Sequence, residues 1–253
     1  MEIGTILAGV LGLSVGSFLN VCIARLPRGE SIFSPPSHCT ACGQPIRWYD
    51  NVPILAYIWL RGRCRRCGAR YSVMYPVVEL LTGLMFAAAY AYCGLSVLLV
   101  SRLLFACALI VLFVIDLRHR ILPNVITLPG VVVGFVFSLF TEPGWVASLV
   151  GLVAGGGVLL AVSEAYLRIR GEEGLGMGDV KMLGMIGAFL GWKLMLFTLV
   201  LSSFLGSLVG VAMIVAKKGD LKYALPFGTF LAIAALVASV MGEPIVQWYL
   251  SLY

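Results

Sequence analysis

Long apolar runs constrain this chain more than any other feature of its sequence. Charged residues make up only 12% of the chain, about half of what an ordinary soluble domain carries. A helix needs about 20 apolar residues to cross the hydrocarbon core of a bilayer. We therefore predict an all-α polytopic membrane protein with about eight transmembrane helices, placed at residues 3–23, 73–92, 95–115, 123–140, 145–167, 179–191, 193–216 and 223–241.

The positions of the basic residues predict an orientation for these spans. Cytoplasmic loops of membrane proteins carry the excess of lysine and arginine. If both termini lie outside, all of the 18 basic residues except Arg102 and Lys193 fall towards the cytoplasmic side. We therefore predict both termini outside. The net charge of +6 is assigned to orientation beside membrane lipids, and no nucleic-acid partner is expected.

Two aspartates stand at the predicted cytoplasmic boundary. Asp116 follows the third span, and Asp179 opens the sixth span just after Gly176 and Gly178. An acid at a membrane boundary marks a candidate functional site. The predicted topology gives both carboxylates a similar depth, so they meet if their spans pack together. The two glycines allow either an open backbone beside Asp179 or tight helix packing.

The only sizeable predicted loop, residues 24–72, carries two cysteine motifs. Cys39 and Cys42 form the first CxxC, and Cys64 and Cys67 form the second after 21 intervening residues. Four thiolates at such spacing are typical of a structural zinc site, and a cytoplasmic location disfavours disulfides. We therefore predict a zinc-binding insert, 24–72, between a first helix, 1–23, and a membrane core, 73–253.

Two neighbouring carboxylates can hydrolyse an amide bond without another nucleophile. They share a proton, so that one acts as a base towards water and the other as an acid. Metalloprotease chemistry of the HExxH type is excluded, because the chain has only two histidines and lacks that motif.

Two other classes of protein remain as alternatives to a hydrolase. A proton-coupled transporter could use Asp116 and Asp179 as a relay, although transporters often have repeated halves and sites near the middle of the membrane. A structural membrane adaptor is the third possibility, and it leaves the glycine-rich stretch before Asp179 unexplained.

The ordered set of motifs resembles the bacterial type IV prepilin peptidases, also called leader peptidase/N-methyltransferases. The GxGD motif alone is weak, but the resemblance runs from end to end and the full set is specific. Beside the four cysteines and Asp116, it rests on residues 16–21 (GSFLNV), 25–27 (RLP), 49–53 (YDNVP), 75–83 (YPVVELLTG), 122–124 (LPN), 176–181 (GMGDVK) and 225–228 (LPFG). Thr229 stands where the family often has proline, a difference that we expect to matter little.

The resemblance implies a GxGD-type aspartic endopeptidase of the bacterial inner membrane. It would remove the short basic leader of type IV prepilins and pseudopilins at the cytoplasmic face. Asp116 and Asp179 match the family's catalytic pair. The residues expected to support the active site are Gly176, Gly178, Lys181, Pro226, Phe227 and Gly228.

The same resemblance implies a second activity, N-methylation of the new N-terminal residue with S-adenosylmethionine as the methyl donor. No glycine fingerprint marks a binding site for this donor. The candidate contacts for the donor or the amine are therefore acidic and aromatic residues near the insert, Trp48, Tyr49, Asp50 and Glu79. A structural role is an equally good interpretation of each, and Glu79 is also expected to face the cavity of the two aspartates.

Overall fold

The computed structural model describes residues 2–171, 176–216 and 225–251. This part of the chain is helical, and its backbone pairing outside helices and turns is limited to two isolated bridges, His38 with Pro45 and Arg63 with Arg70. The helices are α1 (Glu2–Arg25), α2 (Leu55–Trp59), α3 (Met74–Cys93), α4 (Val97–His119), α5 (Asn124–Ser138), α6 (Trp145–Arg170), α7 (Met177–Val215) and α8 (Phe227–Leu250). The predicted all-α membrane fold is confirmed.

The number of membrane-crossing helices differs from the predicted eight. Among the described residues, six helices are long and apolar enough to span a membrane: α1, α3, α4, α6, α7 and α8. The fourth predicted span is the shorter α5, with 15 residues. The sixth and seventh predicted spans are the two helical segments of α7, which meet at a break at Gly191, where φ is 75° and ψ is 173°. The start of the eighth, 223–224, lies outside the described residues.

Contacts divide the chain into two compact units, residues 1–99 and 100–253. In the first unit, α1 packs closely and in the opposite direction against α3. A Cβ atom on Gly12 would lie 2.7 Å from Cβ of Phe86, and one on Gly16 would lie 2.7 Å from Cα of Glu79. This close approach brings together the two ends of the insert, because the insert leaves α1 and returns into α3.

In the second unit, the first half of α7 forms the centre of the core. Met182, Leu183, Met185 and Ile186 have no solvent exposure, and they cluster with apolar side chains of α4, α6 and α8. Phe189 of α7 stacks on a ring of α4 with 4.7 Å between centroids. The start of α7, which carries Asp179, is therefore held by a dry core.

The second half of α7, beyond Gly191, has a different environment. Val200, Phe204 and Leu208 expose 69%, 63% and 58% of their surfaces. An apolar face of this kind is what lipid contact requires. Met195, Thr198 and Ser202 of the same segment have no solvent exposure, so this half of α7 has one face in the core and one face outward.

We expect Gly187→Ala to destabilise the contact between α6 and α7. A Cβ atom on Gly187 would lie 2.1 Å from the carbonyl oxygen of Gly151, and overpacking of this kind costs about 1–3 kcal/mol. The thermal unfolding midpoint in detergent should fall. Gly157→Ala in α6 is the matched control, since a Cβ atom there meets nothing within 4 Å. Equal midpoints for the two variants would contradict the close approach of these helices.

Candidate functional site

Asp116 lies in the last turn of α4 and is 5% exposed. Its Oδ2 accepts two hydrogen bonds from Thr229, one from the backbone N–H at 2.6 Å and one from Oγ1 at 2.9 Å. Thr229 is the third residue of α8, and the first amides of a helix have no acceptor within that helix. Pro226 precedes α8 and provides no side-chain cap. The Asp116 carboxylate therefore caps α8 from another helix.

Asp179 lies in the first turn of α7, where the helix dipole favours a negative charge. Its N–H donates to the carbonyl oxygen of Gly176 at 3.0 Å. Its Oδ1 is buried and has no hydrogen-bond partner within the described part of the chain. The carboxyl groups of Asp116 and Asp179 are close enough to interact electrostatically. The structure thus brings together two acids that lie 63 positions apart in the sequence.

Leu122 fills the space beside both aspartates. A Cβ atom on Gly178 would lie 2.9 Å from Cβ of Leu122, and one on Gly228 would lie 2.9 Å from Cδ1 of Leu122 and 3.0 Å from Oδ2 of Asp116. Any side chain at either glycine would press on Leu122 or on the carboxylate. Of the two interpretations of the glycine-rich motif, the structure favours tight packing at Gly178.

The other predicted support residues lie at the starts of α7 and α8. Gly176 precedes α7 with an extended backbone. Lys181 donates from Nζ to Oδ1 of Asn124 at 2.9 Å and so ties α7 to the start of α5. Phe227 packs against the apolar core at the start of α8. These contacts fix the helix starts around the two acids.

Sequence reasoning missed the role of Thr229. It noted this position only as a departure from proline, whereas the structure gives the residue two hydrogen bonds to Asp116. A signal was present: a threonine in a first helical turn, after a proline that cannot cap, offers an N–H and a hydroxyl to an external acceptor.

The four cysteines of the insert form a compact cluster in the first unit. Their Sγ atoms all lie within 4.8 Å of one another, and those of Cys39 and Cys67 are 3.8 Å apart. A tetrahedral ion with metal–sulfur bonds of about 2.3 Å separates its ligands by about 3.8 Å. The cluster therefore fits one metal ion with four thiolate ligands, as the spacing predicts.

The two CxxC motifs share one backbone design. Gly43 donates its N–H to the carbonyl of Cys39, and Gly68 donates to that of Cys64 in the same way. Backbone N–H groups of Cys67 and Arg66 bind the sulfur of Cys64 and lower the pKa of this thiol to about 6. The thiolate is the form that binds metal. The backbone of the insert therefore favours the thiolate form of Cys64.

A cavity in the first unit lies between the insert and the adjoining ends of α1 and α3. Asp50 and Glu79 both line it, together with Asn20 and Tyr75. Glu79 is 8% exposed, and its Oε2 accepts a hydrogen bond from the N–H of Ile54 at 2.8 Å. Glu79 therefore connects α3 to the insert within the first unit.

The remaining candidate contacts near the insert have structural partners. Arg65 holds the Asp50 carboxylate with bonds of 2.6 Å to Oδ1 and 2.9 Å to Oδ2 and lowers the pKa of that carboxyl. The Tyr49 ring lies beside the guanidinium groups of Arg47 and Arg65. Trp48 is 82% exposed. Among the four predicted contacts, Asp50 and Glu79 line the cavity of the first unit.

Comparisons with known proteins match nearly the whole chain. The model of the Bacterial Peptidase A24 N-terminal domain matches residues 10–93, and that of the Type IV leader peptidase family matches residues 103–211. The chain is 36% identical to a prepilin leader peptidase/N-methyltransferase of Aeromonas hydrophila, over 96% of this chain and 92% of the relative. It is 38% identical to a protein of the same name from Pseudomonas putida, over 94% and 91% of the two chains. No solved structure matches.

We expect the purified protein to hold one divalent metal ion per chain, measured by elemental analysis after gel filtration. Replacing Cys39, Cys42, Cys64 and Cys67 by serine should remove the ion, because all four thiolate ligands are lost. Cys93→Ser is the control, since Cys93 lies in α3 outside the cluster. Metal retained at full stoichiometry by the four-serine variant would place the ion elsewhere.

Proposed function

The chain belongs to the type IV leader peptidase family, and from this premise we propose that it is an aspartic endopeptidase with Asp116 and Asp179 as its catalytic pair. Its substrates are type IV prepilins and pseudopilins, from which it removes the short basic leader. The observation that carries the proposal is the electrostatic interaction of two carboxyl groups, that of buried Asp116 in the last turn of α4 and that of Asp179, with its buried Oδ1, in the first turn of α7. Nothing in the family or its relatives supports the transporter alternative.

Two carboxyl groups of this kind supply both halves of amide hydrolysis. One carboxylate takes a proton from water as the water oxygen attacks the scissile carbonyl, and the protonated partner donates to the carbonyl oxygen. The tetrahedral intermediate then collapses as the C–N bond breaks and the leaving amine receives a proton. Because both acids lie at the edge of an apolar core, their mutual interaction is screened less than in water.

The support residues act by holding the two acids rather than by reacting. Gly178 and Gly228 leave room for Leu122 beside the carboxylates. Lys181 fixes the start of α7 through Asn124. Pro226 and Phe227 set the start of α8, whose third residue binds Asp116. The residues that position the two acids are therefore Gly176, Gly178, Lys181, Pro226, Phe227 and Gly228.

The second proposed activity, methylation of the new N-terminal amine, belongs to the cavity of the first unit. S-adenosylmethionine supplies the methyl group and carries a positive sulfonium when bound. The acceptor amine is also basic, and the buried carboxylate of Glu79 suits either group. Asp50, Asn20 and Tyr75 supply polar contacts at the same cavity, while Tyr49 and Trp48 shape the adjoining surface. Relatives bearing the name N-methyltransferase support this assignment.

The four cysteines hold a structural zinc ion in this proposal. A four-thiolate tetrahedral site has no open position for substrate, and its binding energy contributes to folding. The bound ion stabilises the insert, and residues of the insert line the cavity. Zinc therefore contributes to methylation by stabilising the insert that lines the cavity, and it takes no part in the reaction.

The protein works in the bacterial inner membrane, with both termini outside and the active site facing the cytoplasm. The placement of lysine and arginine supports this orientation. The segment 217–224, which carries part of that charge, lies outside the described residues. The partners are prepilin and pseudopilin substrates and membrane lipids, and no nucleic acid is needed.

We expect Asp116→Asn and Asp179→Asn each to reduce leader cleavage by at least about 10³-fold, because either change removes the proton exchange. The double variant should be little worse than either single one. Cleavage of a co-expressed prepilin, scored by mass spectrometry, gives the measurement. Glu164→Gln is the control, because Glu164 pairs with Arg168 on the surface of α6. Near-normal processing by either aspartate variant would refute the aspartyl mechanism.

We expect Glu79→Gln to lower methylation by about 10²-fold while cleavage stays close to normal. The amide oxygen can still accept the hydrogen bond from Ile54, so the structural contact is kept. The four-serine variant of the insert should also lose more methylation than cleavage. Both products are scored on the same prepilin by mass. Equal loss of both activities would show that the first unit serves both steps.

A further inference from the structure

The two carboxyl groups of the proposed catalytic pair have unequal partners. Oδ2 of Asp116 receives two hydrogen bonds, both from Thr229. Oδ1 of Asp179 is buried without a partner in the described residues. Donors that converge on a carboxylate stabilise its ionised form, whereas a buried oxygen without a donor is costly to leave charged. The surroundings therefore distinguish the two acids before substrate arrives.

The residue type at position 229 decides whether the backbone N–H and the hydroxyl are both present to bond Asp116. A proline fits the first turn of a helix but has no N–H and no hydroxyl. Threonine at the same place contributes both groups, and both bond to Asp116. The position thus sets how many hydrogen bonds Asp116 receives.

The charged groups around Asp116 come from α7 and from the end of α4. Asp179 on α7 and Arg120 just beyond α4 both act on it electrostatically. Lys181, also on α7, is engaged with Asn124. From α8, the contact to the carboxylate is made by the uncharged Thr229. The two hydrogen bonds are therefore separable by mutation from the charges that act on the pair.

We propose that Thr229 is a positioning residue that holds Asp116 as the ionised base of the pair and leaves the shared proton on Asp179. The proposal rests on the aspartyl mechanism above and assigns its two roles. Oδ1 of Asp116 takes the proton of the attacking water while the new C–O bond forms. Asp179 gives its proton to the carbonyl oxygen. When the C–N bond breaks, Asp116 passes the water proton to the leaving amine, and Asp179 recovers its own proton from the intermediate.

This assignment predicts how the enzyme responds to pH. The base must be ionised to work, and Thr229 helps to keep it so. Losing a hydrogen bond to a charged group shifts such an equilibrium by about one pH unit. Without the donors, Asp116 is protonated more easily, so activity is lost at a higher pH as the solution is acidified. At neutral pH the loss is smaller.

The test is the pH profile of kcat/KM for leader cleavage in a graded series at Thr229. Thr229→Ser keeps both donors and should reproduce the wild-type profile. Thr229→Val loses the hydroxyl, and its acidic limb should move to higher pH by about one unit. Thr229→Pro loses both donors and should move it further. KM at the pH optimum should stay within about twofold, because the residue acts on the base and not on substrate binding.

Thr198→Val is the matched control for the loss of a buried threonine hydroxyl. Thr198 is fully buried in α7 and bonds the carbonyl oxygen of Leu194, away from the pair. Its pH profile should not move. An unmoved acidic limb in the valine and proline variants, or an equal movement in the serine variant or the control, would overturn the role of Thr229. If the proline variant does not fold, the valine and serine variants decide alone.

Failure of this inference is distinguishable from failure of the proposed function. If Asp116→Asn and Asp179→Asn are inactive while the series at Thr229 leaves the profile unmoved, the aspartyl mechanism stands and the assignment of roles falls. If either asparagine variant still cleaves the leader, both fall together.

Discussion

The cost of keeping carboxyl groups at the edge of an apolar core governs this structure. A carboxylate there must find donors or another compensating charge. Asp116 meets the requirement by accepting both donors of Thr229, and in return it satisfies an amide at the start of α8 that Pro226 cannot cap. Asp179 has no donor for its Oδ1 among the described residues, and a bound proton removes the cost of a charge there. The two acids differ in how they meet the same cost, and Asp116 is also part of the helix start that it caps.

In the first unit, a small polar insert is folded between two membrane helices. Residues 24–72 contain little apolar core, and among the described residues their regular structure is one short α-helix and two short 3-10 segments. The four-cysteine cluster, which fits a metal ion, offers the kind of staple that small domains with little core use. Arg25 adds to it from the end of α1, where its guanidinium binds the backbone carbonyls of Ser31 and Pro35. The cavity walls therefore depend on local polar bonds rather than on buried apolar area.

The helices, their approximate bounds, the cysteine cluster and the meeting of the two aspartates were all predictable, because apolar run length, cysteine spacing and charge placement are read directly from the sequence. What the sequence left open depends on long-range contacts. The bonds from Thr229 to Asp116 join residues 113 positions apart. The predicted place of Glu79 beside the aspartates stays a prediction, since its observed contact is with Ile54. The predicted boundary between the sixth and seventh spans coincides with the break in α7 at Gly191.

The break at Gly191 places two helical segments of α7 against the same neighbour. A Cβ atom on Gly155 of α6 would lie 2.8 Å from the carbonyl oxygen of Leu183, before the break, and 3.3 Å from Cγ of Met195, beyond it. Neither Leu183 nor Met195 has any solvent exposure. Because the two segments share one buried contact surface, a displacement of either opens a cavity in the core. The segment that opens with Asp179 is therefore braced by the segment that follows it in the chain.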